Sequence, residues 1–514
     1  MIRRPPSSTL FPYTTLFRSV DSVDTVLAHD PVGIVTPGQN VQDGSFAGIT
    51  ATKAGVSWDI TSGIKGGEMK GLLDMRDSTL TDMQSQLDEL TDQLKTTVNQ
   101  LHNRGTTFPG LQDMTGSRIF ADSSTQTITF SGTTDTKMVL MDQNGNQTAV
   151  GSMTAAGGIL GSAGPHTINA VATGMQTWLQ ANGAATATVA VNADGKMEVK
   201  LNSNTLYLGF RDEAATASGS AAGDASIGFN ADAALGGTID ETVSGFSNFF
   251  GLNDFFIDKQ GNGVKETDIV PSTFKTASAS TLTFYESGAT AMTGSPLAIA
   301  IGSTLKDIAA EINANVTGVT ATVITEGAGS RLRISHNSGK AFEVQQTAGT
   351  LLTDVKMKNA IVGMSQSIDV RNDIINSPAL VTRGALQWDA NLGVGGQYIM
   401  STGDGSIALA MAERFALSSN FSAAGDLGDV TLNFEEYGAS ILSRSSNKAA
   451  TVERQFGHKE TLVMNMEAKS DTIRGVNLDE EMSNLILFER GYSASARVMS
   501  VIQGMLDSLE SIIR

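Results

Sequence analysis

Five histidines, His29, His102, His166, His336 and His458, are the first residues to test for catalysis or metal binding. None has a second histidine at the spacing that sets two imidazoles on one ion, so each reads as a surface or turn residue. The run Asp258-Lys259-Gln260-Gly261-Asn262-Gly263 opens like a calcium loop, with Glu266 at its ninth position. Ile269 stands where that loop needs a bidentate carboxylate, which leaves a glycine-rich turn between strands. Gly393-Val394-Gly395-Gly396 lacks the strand and helix of a phosphate cradle and reads as a loop. The pairs Glu435-Glu436 and Glu480-Glu481 read as solvated helix faces. No serine sits in a nucleophile elbow, and zero cysteines remove thiolate nucleophiles, thiolate metal sites and disulfides together. The expectation is a chain that is not an enzyme, with no catalytic residue, metal or cofactor.

Composition narrows the partners. With 35 basic against 53 acidic side chains the formal charge of the 514-residue chain is -18, so its surface repels nucleic acid and anionic membrane. No apolar run approaches the ~20 residues a membrane span requires. The 54 glycines, 10 prolines and 6% aromatics suit light β-domains with many turns. Absence of cysteine fits an extracellular protein built without oxidative folding.

Two regions show helical spacing and the stretch between them does not. Leu73, Leu80, Met83, Leu87, Leu90, Leu94 and Leu101 recur at three- and four-residue steps after Thr61-Ser62-Gly63, and Gly105 is placed to end that helix in the left-handed conformation. From about Ile119 to Val370 short alternating runs predict strands. An internal repeat lies within them: Thr127-Ile128-Thr129-Phe130 recurs as Thr281-Leu282-Thr283-Phe284. Helical stretches follow at Ile168 to Ala181 and Leu305 to Ala314, which predicts two ββαββ-like modules. Ser244 to Leu252, rich in phenylalanine, reads as a packing plug between them. Near the C-terminus, Phe434, Ile441, Val452, Phe456, Val463, Met466 and Ile473 mark one helix face, and Asn477 can cap a last helix that starts with Asp479, Glu480 and Glu481.

That last helix carries the residues with the clearest purpose. Leu485, Phe488, Tyr492, Met499, Ile502, Leu506, Leu509 and Ile513, with Ser495, alternate by three and four as in a coiled-coil seam. A stripe so narrow and long needs partner helices along its length, supplied by other copies or by an intramolecular bundle against Leu80 to Leu101.

Gly475-Val476-Asn477-Leu478-Asp479-Glu480-Glu481, then Asn484-Leu485-Ile486 and Phe488 to Val498, closely resembles the C-terminus of flagellar axial proteins. The Asn-Leu-Asp-Glu-Glu start is similar to the hook-associated family more than to hook protein. Ser62 to Gly67, Gly71 to Asp77 and Gly403 to Ala408 also look like that family, and Leu305 to His336 is similar to small inserts of flagellar proteins. The resemblance implies a structural, extracellular subunit that joins hook to filament through helix-mediated polymerisation. Its implied partners are sister copies in a ring, hook protein, a second junction protein and an export chaperone covering the tail seam, with neither nucleic acid nor membrane. A flagellar hook subunit, or an extracellular glycan- or calcium-binding protein, is the alternative.

The expected fold class is α+β, with long coiled-coil-like axial helices and β-rich outer domains holding two small repeated α/β modules. Residues 1–19 are foreign in composition, resemble a translated sequencing adapter and are expected to be disordered, with the native N-terminus lost. The remaining expected divisions are 20–60, the remnant of a β domain; 61–105, a long axial helix; 106–375, the outer region, with repeats at about 125–212 and 279–347; 376–430, a β-rich return; and 431–514, the C-terminal axial helices.

Overall fold

The computed structural model describes residues 26–29, 48–53, 56–120, 122–231, 239, 241–258, 263–286, 290–326, 329–474 and 478–513. The adapter-like residues 1–19, the glycine-rich part of the calcium-like loop and Asn477 lie outside them. Two units are distinguished, residues 1–438 and 439–514. The fold is α+β, with long helices and several small antiparallel sheets.

Unit one opens on a three-stranded sheet, Val26–His29, Ile49–Lys53 and Val56–Asp59. A helical run follows, Glu68–Asp74, a π turn at Met75–Thr79 and then α1, Leu80–Arg104. The leucines that recur at three- and four-residue steps are only partly buried. Leu73 and Leu101 are buried, but Leu80 and Leu87 are exposed. Polar residues are buried instead: Gln86, Asp88, Glu89, Asn99, His102 and Asn103. Most of them accept from backbone amides, at the start of a short helix, Met364–Ser367, at the edge of a strand, Phe256–Asp258, and in loops. Asp88 accepts from the amides of Gly363 and Ser365 at 2.8 and 2.9 Å, and Glu89 from that of Ser422 at 2.7 Å. Asn99 Oδ1 takes the amides of Phe255 and Phe256 at 3.0 and 2.8 Å. Irregular backbone can be buried only when its N–H groups find such acceptors.

His102 departs furthest from its expected place. It is buried, not a surface residue, and the Thr382 amide donates to its Nε2 at 2.9 Å. Nε2 therefore carries the lone pair, and Nδ1 donates to the Asn253 carbonyl at 2.5 Å. Burial, reinforced by the charge of Arg371, lowers its pKa to about 4. Gly105 ends α1, but in extended backbone, φ -106° and ψ -179°. Glycine is needed there for space and not for handedness, since a Cβ would lie 2.2 Å from Thr382 Cγ2 and 2.5 Å from the Gly384 carbonyl.

The two modules share one plan. A strand, Thr127–Ser131 or Ser280–Glu286, pairs with a short strand, His166–Thr167 or Leu297–Ile299, that leads into a helix, α2 (Ile168–Ala181) or α3 (Leu305–Asn315). Each helix starts on a threonine, Thr167 or Thr304, whose hydroxyl accepts an amide one turn on. A hairpin follows, Thr188–Val191 with Lys196–Lys200 or Val319–Glu326 with Gly329–His336. Side-chain amides tie it to the helix: Gln176 and Gln180 bond Val189 and Ala187, and Asn313 alone bonds both backbone groups of Ala321. A final strand, Ser226–Asn230 or Phe342–Ala348, returns beside the first. The first copy runs past residue 212 to that final strand, and it also holds the sheet formed by Tyr207–Glu213, Asp135–Met141 and Gln147–Ser152.

Each module has its own core, one around Ile128, Met138, Ile168, Val171 and Leu179, the other around Phe284, Ile308, Ile312, Ile334 and Phe342. Each such fully buried side chain contributes about 1.5–3 kcal/mol. The phenylalanine-rich connector forms a short helix, Phe246–Phe250, closed by Gly251 in the left-handed region. Phe246, Phe249 and Phe250 enter the first core, against Phe120, Phe130, Phe210 and Phe229. The chain then returns through the hairpin Gln387–Asp389 with Gln397–Ile399, where Trp388 packs edge-on to Tyr398.

Candidate assembly interface

Two helices make up the C-terminal region, α4 (Phe434–Arg474) and α5 (Leu478–Ile513). The start of α4 is a reciprocal cap: Asn433 Oδ1 accepts from the Glu436 amide at 2.8 Å, and Glu436 accepts from the Asn433 amide at 3.0 Å. Phe421 stacks on Tyr437 at 4.0 Å, fixing that first turn on the hairpin Ser419–Phe421 with Val430–Leu432. Beyond it, Val452, Phe456, Val463 and Met466 are exposed, and the Ile473 side chain lies outside the described residues.

In α5, Asp479, Glu480 and Glu481 occupy the first turn, where the dipole favours carboxylates. Leu485, Phe488, Tyr492, Met499, Ile502, Leu506 and Leu509 fall on one continuous helix and are exposed, from 44% at Ile502 to 80% at Tyr492. Ile513 ends the helix, and its side chain lies outside the described residues. Helical geometry thus brings the expected stripe together, and its described side chains are exposed.

A second stripe escaped the reading of the sequence. Leu487, Gly491, Ala494, Val498, Val501, Met505, Ser508 and Ile512 also alternate by four and three, and Leu487, Val498, Val501, Met505 and Ile512 are exposed. Val498, Val501, Met505 and Ser508 each precede a member of the first stripe by one residue, so the stripes lie about 100° apart around the helix. The signal was present in the spacing, but fitting a single seam hides it. A helix with two such seams offers one apolar edge to each of two neighbours.

Among the described residues no cluster of three or more histidines and carboxylates could hold a metal. Glu266, the ninth position of the calcium-like loop, is instead engaged by the guanidinium groups of Arg331 and Arg333. No described helix is long and apolar enough to cross a membrane.

Residues 32–120 match the family described as the flagellar hook-associated protein FlgK helical domain. Residues 473–512 match the flagellar basal body rod FlgEFG protein C-terminal family, and 281–338 the flagellin hook IN motif. The last of these holds the helix and hairpin of the second module. Flagellar hook-associated protein 1 of Escherichia coli is 34% identical over 80 residues, 16% of this chain and 15% of that protein. Its namesake in Bacillus subtilis is 29% identical over 87 residues, 16% of this chain and 17% of that protein. The chain thus covers less than a fifth of the length of these curated relatives. A solved structure of FliD (HAP2) from Pseudomonas aeruginosa aligns with 40% of this chain and 90% of that one at 15% identity, with a TM-score of 0.15 that carries no argument. Over the short region these sequence matches cover, the chain is FlgK-like, akin to flagellar hook-associated protein 1.

Proposed function

We propose that this protein is a non-enzymatic structural subunit of the extracellular bacterial flagellum, placed at the junction of hook and filament. The observation that carries this reading is the exposed double stripe of α5. Seven described seam side chains stand in water, and burying each would contribute about 1.5–3 kcal/mol, offset by the entropy of ordering the helix. Sister copies arranged in a ring are the partners such a helix fits, with hook protein on one side and a second junction protein on the other. Before assembly the same apolar stripe calls for a cover, the role of an export chaperone. The similarity of residues 32–120 to the hook-associated helical domain supports the junction reading. The similarity of residues 473–512 to the FlgEFG terminus favours a second reading, a hook subunit, which copy number per flagellum separates: a junction ring needs few copies, a hook many.

The test is sedimentation velocity of the full chain and of Leu506→Asp and Ile513→Asp. We expect the parent chain to form concentration-dependent oligomers, and each variant to form smaller ones, with circular dichroism of the β modules unchanged. Equal association by parent and both variants would sink the proposal.

A further inference from the structure

The second module hangs on two short strands. The chain approaches it through Val264–Glu266 and leaves it through Lys358–Asn359, and these strands pair antiparallel with Lys265 directly opposite Asn359. Lys265 is buried, at 5% exposure. Its ammonium donates to Asn359 Oδ1 at 2.5 Å and to Glu343 Oε2, from the returning strand of the module, at 2.6 Å.

A buried amine, a side-chain amide in contact with it and a carboxylate on the same nitrogen are the three parts of an amide exchange: nucleophile, electrophile and proton carrier. The other buried ion pairs among the described residues lack one of them. Glu266 faces guanidinium groups, which hold their protons too tightly to attack. Lys137 meets Asp135, two residues away on one strand, and that carboxylate also takes hydrogen bonds from Ser152 and Thr154. Among the described buried ion pairs, the three groups converge around Lys265.

The geometry points to a self-catalysed isopeptide bond between Lys265 and Asn359, with Glu343 as the proton carrier. Glu343 takes a proton from the Lys265 ammonium, and the freed amine adds to Cγ of Asn359. The tetrahedral adduct collapses as the Cγ–Nδ2 bond breaks and Glu343 returns its proton to the departing nitrogen. One N–C bond forms, one breaks, and the nitrogen lost from Asn359 leaves as ammonia, which takes the remaining ammonium proton into water. Asn359 is exposed, so that exit is open. Nothing is oxidised or reduced, and no co-reactant is required.

The bond would close the chain at the base of the module, so that a pull on the flanking segments passes through the cross-link and not through the module's core. In a chain with no cysteine it supplies the covalent closure that a disulfide supplies elsewhere.

The experiment is intact mass spectrometry of the purified, folded full chain, followed by proteolysis and peptide sequencing. We expect a mass about 17 Da, one ammonia, below that of the sequence, and a branched peptide joining Lys265 to Asn359. Lys265→Arg, Asn359→Ala and Glu343→Gln should each abolish the ammonia loss, the last with little change in shape. A folded parent chain of full sequence mass, yielding linear peptides with unmodified Lys265 and Asn359, overturns the inference. So does an ammonia loss that maps to any other pair.

Discussion

Replacing His102 by glutamine tests the buried polar face of α1 directly. The parent imidazole is neutral in the folded chain, because burial and the two backbone partners on its ring nitrogens leave no room for a second proton. Its pKa falls from 6.5 in the unfolded chain to about 4 in the folded one. A depressed histidine contributes stability that is complete above the unfolded value and is lost as pH falls through the folded value. Between pH 7 and pH 4 the loss follows from the gap of 6.5 to about 4, at 1.36 kcal/mol per decade, and comes to about 3 kcal/mol. Asp212 acts in the opposite direction: burial raises it to about 6, so its share is present below 3.8 and lost as pH rises through 6. The raw pH profile of the parent chain therefore mixes the two. The difference between parent and His102→Gln isolates the imidazole. Urea unfolding can be followed at Trp388 with Trp58 and Trp178 changed to phenylalanine, since the chain has 3 tryptophans. The variant should be less stable than the parent at pH 7, and the gap should narrow by about 3 kcal/mol at pH 4. A gap that stays constant across that range would show that the ring titrates equally in both states, and the buried, neutral assignment would be wrong.

Three further outcomes are expected. Gly105→Ala places a methyl group against Thr382 and the Gly384 carbonyl and should lower stability by about 1–3 kcal/mol, read as a shift in the same urea midpoint. Phe246→Ala empties the centre of the aromatic cluster and should cost about 3–5 kcal/mol in the first module, seen as faster amide exchange there and not in the second. Val501→Asp disables only the second stripe of α5, so sedimentation should show smaller oligomers that still depend on Leu506, whereas loss of all association would reduce the two stripes to one surface.

Local periodicity made much of this chain legible. Leu485 to Ile513 repeat along one helix, so neighbours in sequence are enough to reveal them. The paired modules were visible for the same reason, as one pattern written twice. What needed the tertiary structure was every contact made across the chain. His102 meets Asn253 and Thr382, 151 and 280 residues away, and Asp88 meets Ser365, 277 away. No spacing rule connects such positions, because the fold and not the helix chooses the partner. That is why the leucine spacing of α1 does not reveal that hydrogen-bonding side chains take much of its buried face, and why handedness was expected at Gly105 where crowding by Thr382 is the cause. Lys265, Glu343 and Asn359 are unremarkable in the sequence; antiparallel pairing sets the amine opposite the amide, and the tertiary fold brings the carboxylate to the same nitrogen.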